Sequence, residues 1–419
     1  MATIGSRFHH IGLVKVENKA HWQQRKSIGG IRSYKLLTIE WSISKEGNSV
    51  ITNEWRYPPV TANKSFNLET TPPPAFRAFR YSYKRHVIDV KKLDLDEWIP
   101  LDNEFPRYHA AKVARLADRG DKIVGTLPCA TDAARELCQD LAEYLSARYP
   151  QVYHVTRSAS DKDGWDGQGS ISRVEMPSLG ASYDLVNDDN MTVAGLLQPT
   201  DLNILTKLPD GQYQLSAVMF GIGGGQRLKD KLGRCLADLH FGGQVPHFKE
   251  QLQAPLDRFL SKLKVDSPIV RHTTALSIHD ELHWPEITMG PEDDWDPVIR
   301  GPAVGSKGAA TFKPPQPVSD ISSIWFRQER QTLRRLPKSG AIVWSVHTYI
   351  TPITSILDEP GIPGRLASLI RSWDDELAAH KGRDLYAGVL LPHLDALHLE
   401  QVKAGVCEDE PMALPNFPF

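Results

Sequence analysis

The sequence predicts an α+β fold with an N-terminal elaboration, and three features point to it. Residues 36–43 and 50–57 both alternate apolar and polar side chains around Gly47-Asn48, the pattern of a β-hairpin. The apolar run YQLSAVMF, residues 213–220, is short and bounded by turn residues, as a buried strand is. Helical spacing recurs elsewhere. Ala134, Leu137, Leu141 and Leu145 lie on one apolar stripe, and Leu228, Leu232, Leu236 and His240 on another.

In chain order, residues 1–30 show no periodicity and read as a mobile leader. Residues 31–74 hold the hairpin and a loop bracketed by Pro58-Pro59 and Pro72-Pro73-Pro74. Residues 75–397 form the main domain. Trp98 and Asp102 precede a helix from about Phe105 to about Ala117. Thr131 is placed to cap a second helix, which runs to Arg148 and stops at Tyr149-Pro150. Residues 152–155 read as a strand and residues 158–169 as a polar, glycine-rich loop. Gly221, Gly223, Gly224 and Gly225 break the strand at 213–220, and Gly242-Gly243 end the helical stripe that follows. An amphipathic helix spans 248–263, and residues 285–317 form a long surface excursion. The block from Trp325, FRQERQTLRRLP, reads as a helix, followed by a turn at Pro337–Gly340 and a strand. Residues 360–397 hold one or two helices, and residues 398–419 form the C-terminal tail, loose from Glu408 onward with Pro411, Pro415 and Pro418.

Composition limits the function classes. A chain of 419 residues, 41% hydrophobic and 24% charged, builds its own core, as one elaborated domain or two to three units. A net charge of -2 carries no footprint for nucleic acid. No apolar run of about 18 residues marks a membrane span. The N-terminus lacks a secretory apolar core. Cys129, Cys138, Cys235 and Cys407 are scattered without a CxxC pair. That pattern excludes a disulfide framework and a cysteine zinc site, and suits the cytoplasm.

Several motifs invite a chemical reading. GIGGGQRLKDKLG lies between a strand and a helix, but in GxGxxG register from Gly221 the third glycine is Gln226, and no GxxxxGK[ST] run exists. A flexible strand-to-helix turn explains it better. His272, His279 and His283 cluster in sequence, yet Asp280, Glu281 and Leu282 separate the last two, so HExxH is absent and loop histidines are the better reading. His240 ends an apolar stripe, where an imidazole serves either as a core group bonded to a carbonyl or as a metal ligand. On a helix, Arg327, Arg330 and Arg334 share a face, either solvated or clamping a carboxylate through guanidinium forks. Arg334 is the position least tied to a ligand. No GxSxG elbow is present, and KAGVCEDE around Cys407 is not a thiolate haem loop.

Six blocks occur together in order: FRAFRYSYKRHVIDVKKLDLDEWIPLDNEF, AARELCQDLAEYLSARYP, LQPTDLNIL, RLKDKLGRCLADLH with VPHF, PLDRFLSKLKVDSPIVR, and FRQERQTLRRLPKSGAIVWSVHTYITPI. Over roughly residues 75–395 the chain resembles the family of the haem-dependent oxidative N-demethylase alpha subunit. The resemblance implies a PAS-like antiparallel sheet flanked by helices, and haem b ligated by a histidine. It implies a monooxygenase that oxidises a C–H next to nitrogen with O2, using electrons from a separate flavin and iron–sulfur reductase. Amine and aldehyde are the products. The chain itself has no cysteine set for an iron–sulfur cluster and no flavin or nicotinamide fingerprint. The family's KLG and VP stretch falls on Lys231, Leu232, Gly233, Leu236, His240, Val245 and Pro246, which makes His240 the implied iron ligand. Arg327, Arg330 and Arg335 fall on the family's arginine block, implied to hold haem propionates or frame the pocket, and Tyr349 matches the aromatic after it. The chain departs from the pattern at Phe241-Gly242-Gly243-Gln244, at Arg85-His86-Val87, and at His347, where Arg or Lys is usual. The rival class is a haem-binding PAS-type sensor without turnover, since fold does not imply function. A structural protein that has lost haem is a third. An output domain, which a sensor needs, has no signature here.

Overall fold

Twelve β-strands and eight α-helices make up the described residues of this computed structural model: 14–24, 34–45, 56–77, 90–159, 163–222, 227–236, 238, 253–283 and 316–409. The chain divides into two compact units, Met1–Trp55 and Arg56–Phe419. In the first, β1 (Val14–Gln24) pairs antiparallel with β2 (Tyr34–Lys45), from Val14 opposite Lys45 to Gln24 opposite Tyr34. The strand expected at residues 36–43 is therefore present, but its partner precedes it. The partner expected at 50–57 lies mostly outside the described residues.

The second unit opens with β3 (Lys91–Lys92), α1 (Phe105–Arg119), β4 (Val124–Thr126) and α2 (Thr131–Arg148). Three short strands follow, β5 (His154–Arg157), β6 (Ile171–Met176) and β7 (Ala181–Asp184), which form their own antiparallel sheet. Next come α3 (Asn190–Leu196), β8 (Asp201–Lys207), β9 (Tyr213–Met219), α4 (Leu228–Lys231) and α5 (Gln253–Lys262). The last stretch holds β10 (Ile269–Ser277), β11 (Trp325–Arg335), β12 (Ile342–Pro352), α6 (Ile362–Ser372), α7 (Asp375–His380) and α8 (Ala387–Lys403). The main sheet has seven strands in the order β3-β10-β11-β12-β8-β9-β4, with antiparallel neighbours throughout. The fold is α+β. No described helix is long and apolar enough to cross a membrane.

Three apolar clusters hold the helices to this sheet. On one face Leu137, Leu141 and Leu145 of α2, the stripe expected from the sequence, pack with Leu202, Ile204, Ala217, Met219 and Val343. Further along β10 and β11, Leu276 and Phe326 pack with Leu366 and Ile370 of α6 and Leu390 and Leu394 of α8. On the opposite face Leu256 and Leu260 of α5 cover Leu205, Leu215, Val218, Leu333 and Ile342.

Four local expectations change. Residues 325–335 form a strand, not a helix, because both neighbours β10 and β12 supply a continuous ladder and the side chains are buried on both faces. Alternation then separates the arginines: Arg330 and Arg334 face one side, Arg327 and Arg335 the other. Thr131 is the first residue inside α2, and its hydroxyl donates to the Pro128 carbonyl instead of capping. The strand after Tyr149-Pro150 starts at His154. The stripe Leu228, Leu232, Leu236 is not one helix. α4 ends at Lys231, Leu232 turns extended, Gly233 takes φ 83°, and Cys235 bridges Gln214 of β9. His240 lies outside the described residues.

The turn at Pro337–Gly340 is where the sequence places it. Glu136 of α2 accepts hydrogen bonds from the backbone N–H groups of Lys338 and Ser339, at 2.6 and 2.7 Å. Beside it, Arg334 and Asp140 form an ion pair at 3.1 Å with both side chains inside the protein. The Arg334 guanidinium stacks over Trp98 at 4.4 Å, and Trp165 Nε1 donates to Asp140 Oδ1. Burial pushes the Asp140 carboxyl up, against the pull of Arg334. Removing one partner of such a pair leaves an uncompensated buried charge. Arg334→Met should therefore cost about 3–5 kcal/mol in denaturant unfolding, and Arg334→Met with Asp140→Leu appreciably less. A single mutant within about 0.5 kcal/mol of wild type would instead mark Arg334 as a surface-like position.

Candidate functional site

The cross-strand register gathers polar side chains at one place on the main sheet. His272, Arg330 and His347 form one rung across β10, β11 and β12, and Thr274, Gln328 and Tyr349 form the next. Directly opposed residues, and those two apart on a strand, share a face. This is the face that carries Val343 and Ile204 into the α2 core and Leu276 and Phe326 into the α6–α8 core. The polar rungs thus occupy the gap between two apolar cores. Their β11 and β12 members are dry, with Arg330 4% exposed, Gln328 2% and His347 1%, while His272 and Thr274 on β10 are half-buried.

Aromatic rings close over the rungs. Phe76 lies 4.3 Å from the His272 ring and 6.0 Å from Tyr349, and the Arg330 guanidinium sits 5.9 Å from its centroid. The next residue, Arg77, pairs with Glu359 and lies over Phe326, which pins Phe76 in place. The rings of His347 and Tyr349 are 4.0 Å apart. From α1, Tyr108 meets His347 edge-on at 5.2 Å. β8 begins at Asp201, opposite Val346, so the β12 edge beyond that point has no strand on it among the described residues. The Tyr108 hydroxyl donates there to the Thr348 carbonyl.

Charge at the site is controlled by burial. Burial, then Lys112 and Arg330, holds the His347 imidazole well below its ordinary range. Burial, then Arg330 and Lys91, pushes His272 down to about 3. Both rings are therefore neutral near pH 7. Burial, helped by Asp102, raises the Tyr349 phenol, which stays protonated. Lys112 is fully buried, and its Nζ donates to the carbonyls of Gly195, Gln198 and Thr200 at 2.9, 2.9 and 2.6 Å. Its pKa falls to about 8, burial being opposed by Asp201. The lysine needs Gly221: a Cβ there would stand 2.6 Å from Lys112 Cγ.

Six buried polar atoms here have no hydrogen-bond partner among the described residues. They are both ring nitrogens of His347, Tyr349 Oη, Gln328 Nε2, Thr274 Oγ1 and Asp102 Oδ2. Each such atom costs about 1–3 kcal/mol when left unmet. Buried groups of this kind pair with ordered water or with a ligand when one is present.

Of the residues singled out from sequence, the structure brings Arg330 and Tyr349 together. Arg330 also donates to the carbonyls of Trp98, at 3.0 Å, and Glu97. Arg327 faces the other side and donates to Glu281 and Leu282 carbonyls at 3.1 and 2.6 Å. Arg335, on that side too, donates to the carbonyls of Leu260, Leu263 and Gly340 and to Tyr213 Oη. The three arginines do not make one clamp. Lys231 ends α4 half-buried, and burial lowers its pKa. His240, Val245 and Pro246 lie outside the described residues. His272, His279 and His283 form no metal-ligand group, and no cluster of three His, Cys, Asp or Glu side chains suited to a metal occurs among the described residues. Phe76, Tyr108, Lys112, Gln328 and Asp102 carry no motif that marks them in advance.

Asp102 yields a pH prediction. It is 1% exposed, and burial pushes its carboxyl up from 3.8 to about 6, partly offset by the hydrogen bond from the Glu104 N–H. A raised carboxyl favours the folded state when protonated, so this contribution is complete below about pH 3.8 and lost as pH rises through about 6. Asp102→Asn keeps the acceptor for Glu104 and removes the charge. It should match wild type near pH 4 and exceed it by up to about 3 kcal/mol at pH 7–8, at 1.36 kcal/mol per pKa unit. Unfolding curves at the two pH values check this, and an Asn variant less stable than wild type at pH 8 contradicts it.

Residues 89–391 match the family model described as haem-dependent oxidative N-demethylase, alpha subunit-like. That span contains every strand of the seven-stranded sheet and both polar rungs. The chain belongs to the haem-dependent oxidative N-demethylase alpha-subunit-like family.

Proposed function

We propose that this protein is a haem-dependent monooxygenase that demethylates a small amine oxidatively. O2 is the oxidant, and electrons arrive from a separate flavin and iron–sulfur reductase. The observation that carries the reading is the dry, aromatic-walled face with six unmet polar atoms, lying inside the segment that matches the family or just at its rim. A seven-stranded antiparallel sheet flanked by helices, with a small three-stranded sheet beside it in sequence, supports a PAS-like haem domain. Four free cysteines support a reducing, cytoplasmic setting.

His240 is the residue that would ligate the haem iron. The family resemblance carries that assignment; the described chain before it, Leu228 and Leu236, packs against Leu205, Leu215 and Val218 on the face of the sheet opposite the polar rungs. The described residues suit a haem in their chemistry: neutral imidazoles, a protonated phenol, apolar walls and a buried guanidinium. When bound, haem b supplies the one-electron and O2 chemistry. The protein supplies position, dryness and proton control. Phe76 and Tyr108 exclude water, and Tyr349 offers a hydroxyl proton. Neutral His347 offers one nitrogen that donates and one that accepts. Arg330 stands with them. Arg327 and Arg335 fasten the segment after β10 and the end of α5, and Lys231 stands at the end of α4.

A haem titration tests the ligand. Wild type should develop a Soret band, and His240→Ala should bind haem at least about tenfold more weakly, equivalent to about 1.4 kcal/mol, with its melting curve little changed. An unchanged spectrum in His240→Ala would overturn the assignment and turn attention to His247. NADPH alone should drive no turnover, whereas added reductase should give amine-dependent O2 uptake. Turnover without a reductase would refute the need for one.

A further inference from the structure

We propose that Cys407 is a modification site: its thiol, with His398 as base and Asp409 as the group that orients the base, forms a mixed disulfide with a low-molecular-weight disulfide. The inference is independent of the haem reading and concerns the turn after α8.

That turn builds the site. Gly405 takes φ 69°, and the Val406 N–H donates to the Gln401 carbonyl at 2.9 Å. The reversal lays Cys407 and Asp409 back beside His398 of α8. Cys407 Sγ is 3.9 Å from His398 Nδ1, within the longer reach that sulfur allows. On the other side of the ring, Nε2 lies 3.0 Å from the Asp409 carbonyl oxygen and 3.4 Å from Asp409 Oδ1. The ring is also held by α6, since a Cβ on Gly364 would stand 2.5 Å from its Nδ1.

These contacts fix the tautomer. A backbone carbonyl and a carboxylate only accept hydrogen bonds, so Nε2 carries the proton. Nδ1 then presents its lone pair to the thiol. A thiol in reach of a base, with the base oriented by a third group, is the arrangement of an activated nucleophile. The thiol hydrogen has one other acceptor, Gln401 Oε1 at 3.7 Å, which the Gly361 N–H holds in place at 2.8 Å. Arg365 and Cys407 stand against the same glycine: a Cβ on Gly361 would lie 3.3 Å from Arg365 Nη2 and 3.7 Å from Cys407 Cβ. A guanidinium therefore borders the place where negative charge develops on sulfur, the setting in which cysteines react.

The other three cysteines lack this combination. Cys138 is buried, and burial raises its thiol. Cys235 is half-buried, and burial, then Asp238 and Asp210, raise its thiol as well. Cys129 is exposed, whereas Cys407 is half-buried.

The step balances without a further oxidant. The thiol proton moves to His398 Nδ1, and the Cys407 thiolate attacks one sulfur of the small disulfide. The new S–S bond forms as the old one breaks, and the leaving thiolate takes the proton back from Nδ1. The cysteine is oxidised, the small disulfide is reduced, and one small thiol is released.

The test is exposure of the full chain to oxidised glutathione near neutral pH, with each modified cysteine located and timed by peptide mass mapping. Wild type should carry the mixed disulfide at Cys407 before Cys129, although exposure alone ranks Cys129 first. His398→Gln removes the base and should slow the reaction at Cys407 by about tenfold or more, with Cys129 unchanged. Modification of Cys129 at or before Cys407 in wild type overturns the proposal, as does an equal rate at Cys407 in His398→Gln. If that variant fails to fold, the order of modification in wild type decides alone.

Discussion

β11 buries its arginines, and the rest of the main unit is arranged to accept them. Arg327, Arg330 and Arg334 are each no more than 4% exposed. A buried guanidinium is tolerated only when its N–H groups find acceptors. Each arginine finds them on a different piece of chain. Arg327 holds the segment after β10, at Glu281 and Leu282. Arg330 holds the turn before α1, at Glu97 and Trp98. Arg334 holds α2 through Asp140, and Arg335 holds the end of α5 at Leu260 and Leu263. One strand thus fastens four separate segments to the sheet.

The same constraint shapes the candidate site. Arg330 needs the Glu97–Trp98 turn, and that turn leads directly into Asp102 and α1. α1 then lays Tyr108 along the open edge of β12 and drives Lys112 into three carbonyls around the start of β8. Arg330 and Lys112 donate to backbone carbonyls, whereas His347, Tyr349 and Gln328 carry buried polar atoms with no hydrogen-bond partner among the described residues. Such a contrast between a rigid, paired frame and an unpaired centre is expected where stability has been traded for ligand binding.

Much of the frame was legible in the sequence and the centre was not. The helices at 105–119 and 131–148, the strand at 213–219 and the turn at Pro337–Gly340 follow from apolar spacing, proline stops and glycine. β11 was hidden because its two faces are both buried and both polar, so FRQERQTLRR shows no apolar-to-polar alternation. Charge density then favours a solvated helix, which tertiary context overrides. The Leu228–Leu236 stripe misled for a related reason: spacing of four fits a helix, but Gly233 at φ 83° and the bridge of Cys235 to Gln214 take the chain back to the sheet. Arg330 and Tyr349 could be singled out through family resemblance, and His347 only as a departure from it. Asp102 reads locally as an ordinary residue before a helix, and its influence on the Tyr349 phenol, about 250 residues away in sequence, is one that no single-sequence pattern records.

Whether the unmet polar atoms serve a ligand or are merely tolerated is decided most directly by Tyr349→Phe. The variant removes one hydroxyl that has no partner among the described residues and keeps the ring against His347 and Phe76. Melting temperature and amine-dependent O2 uptake should be measured together on the haem-loaded protein. Removing an unsatisfied buried hydroxyl should leave the melting temperature equal or higher, while uptake falls by about tenfold or more. A melting temperature lower by several degrees with uptake unchanged would show that the hydroxyl belongs to the frame, and would contradict the site.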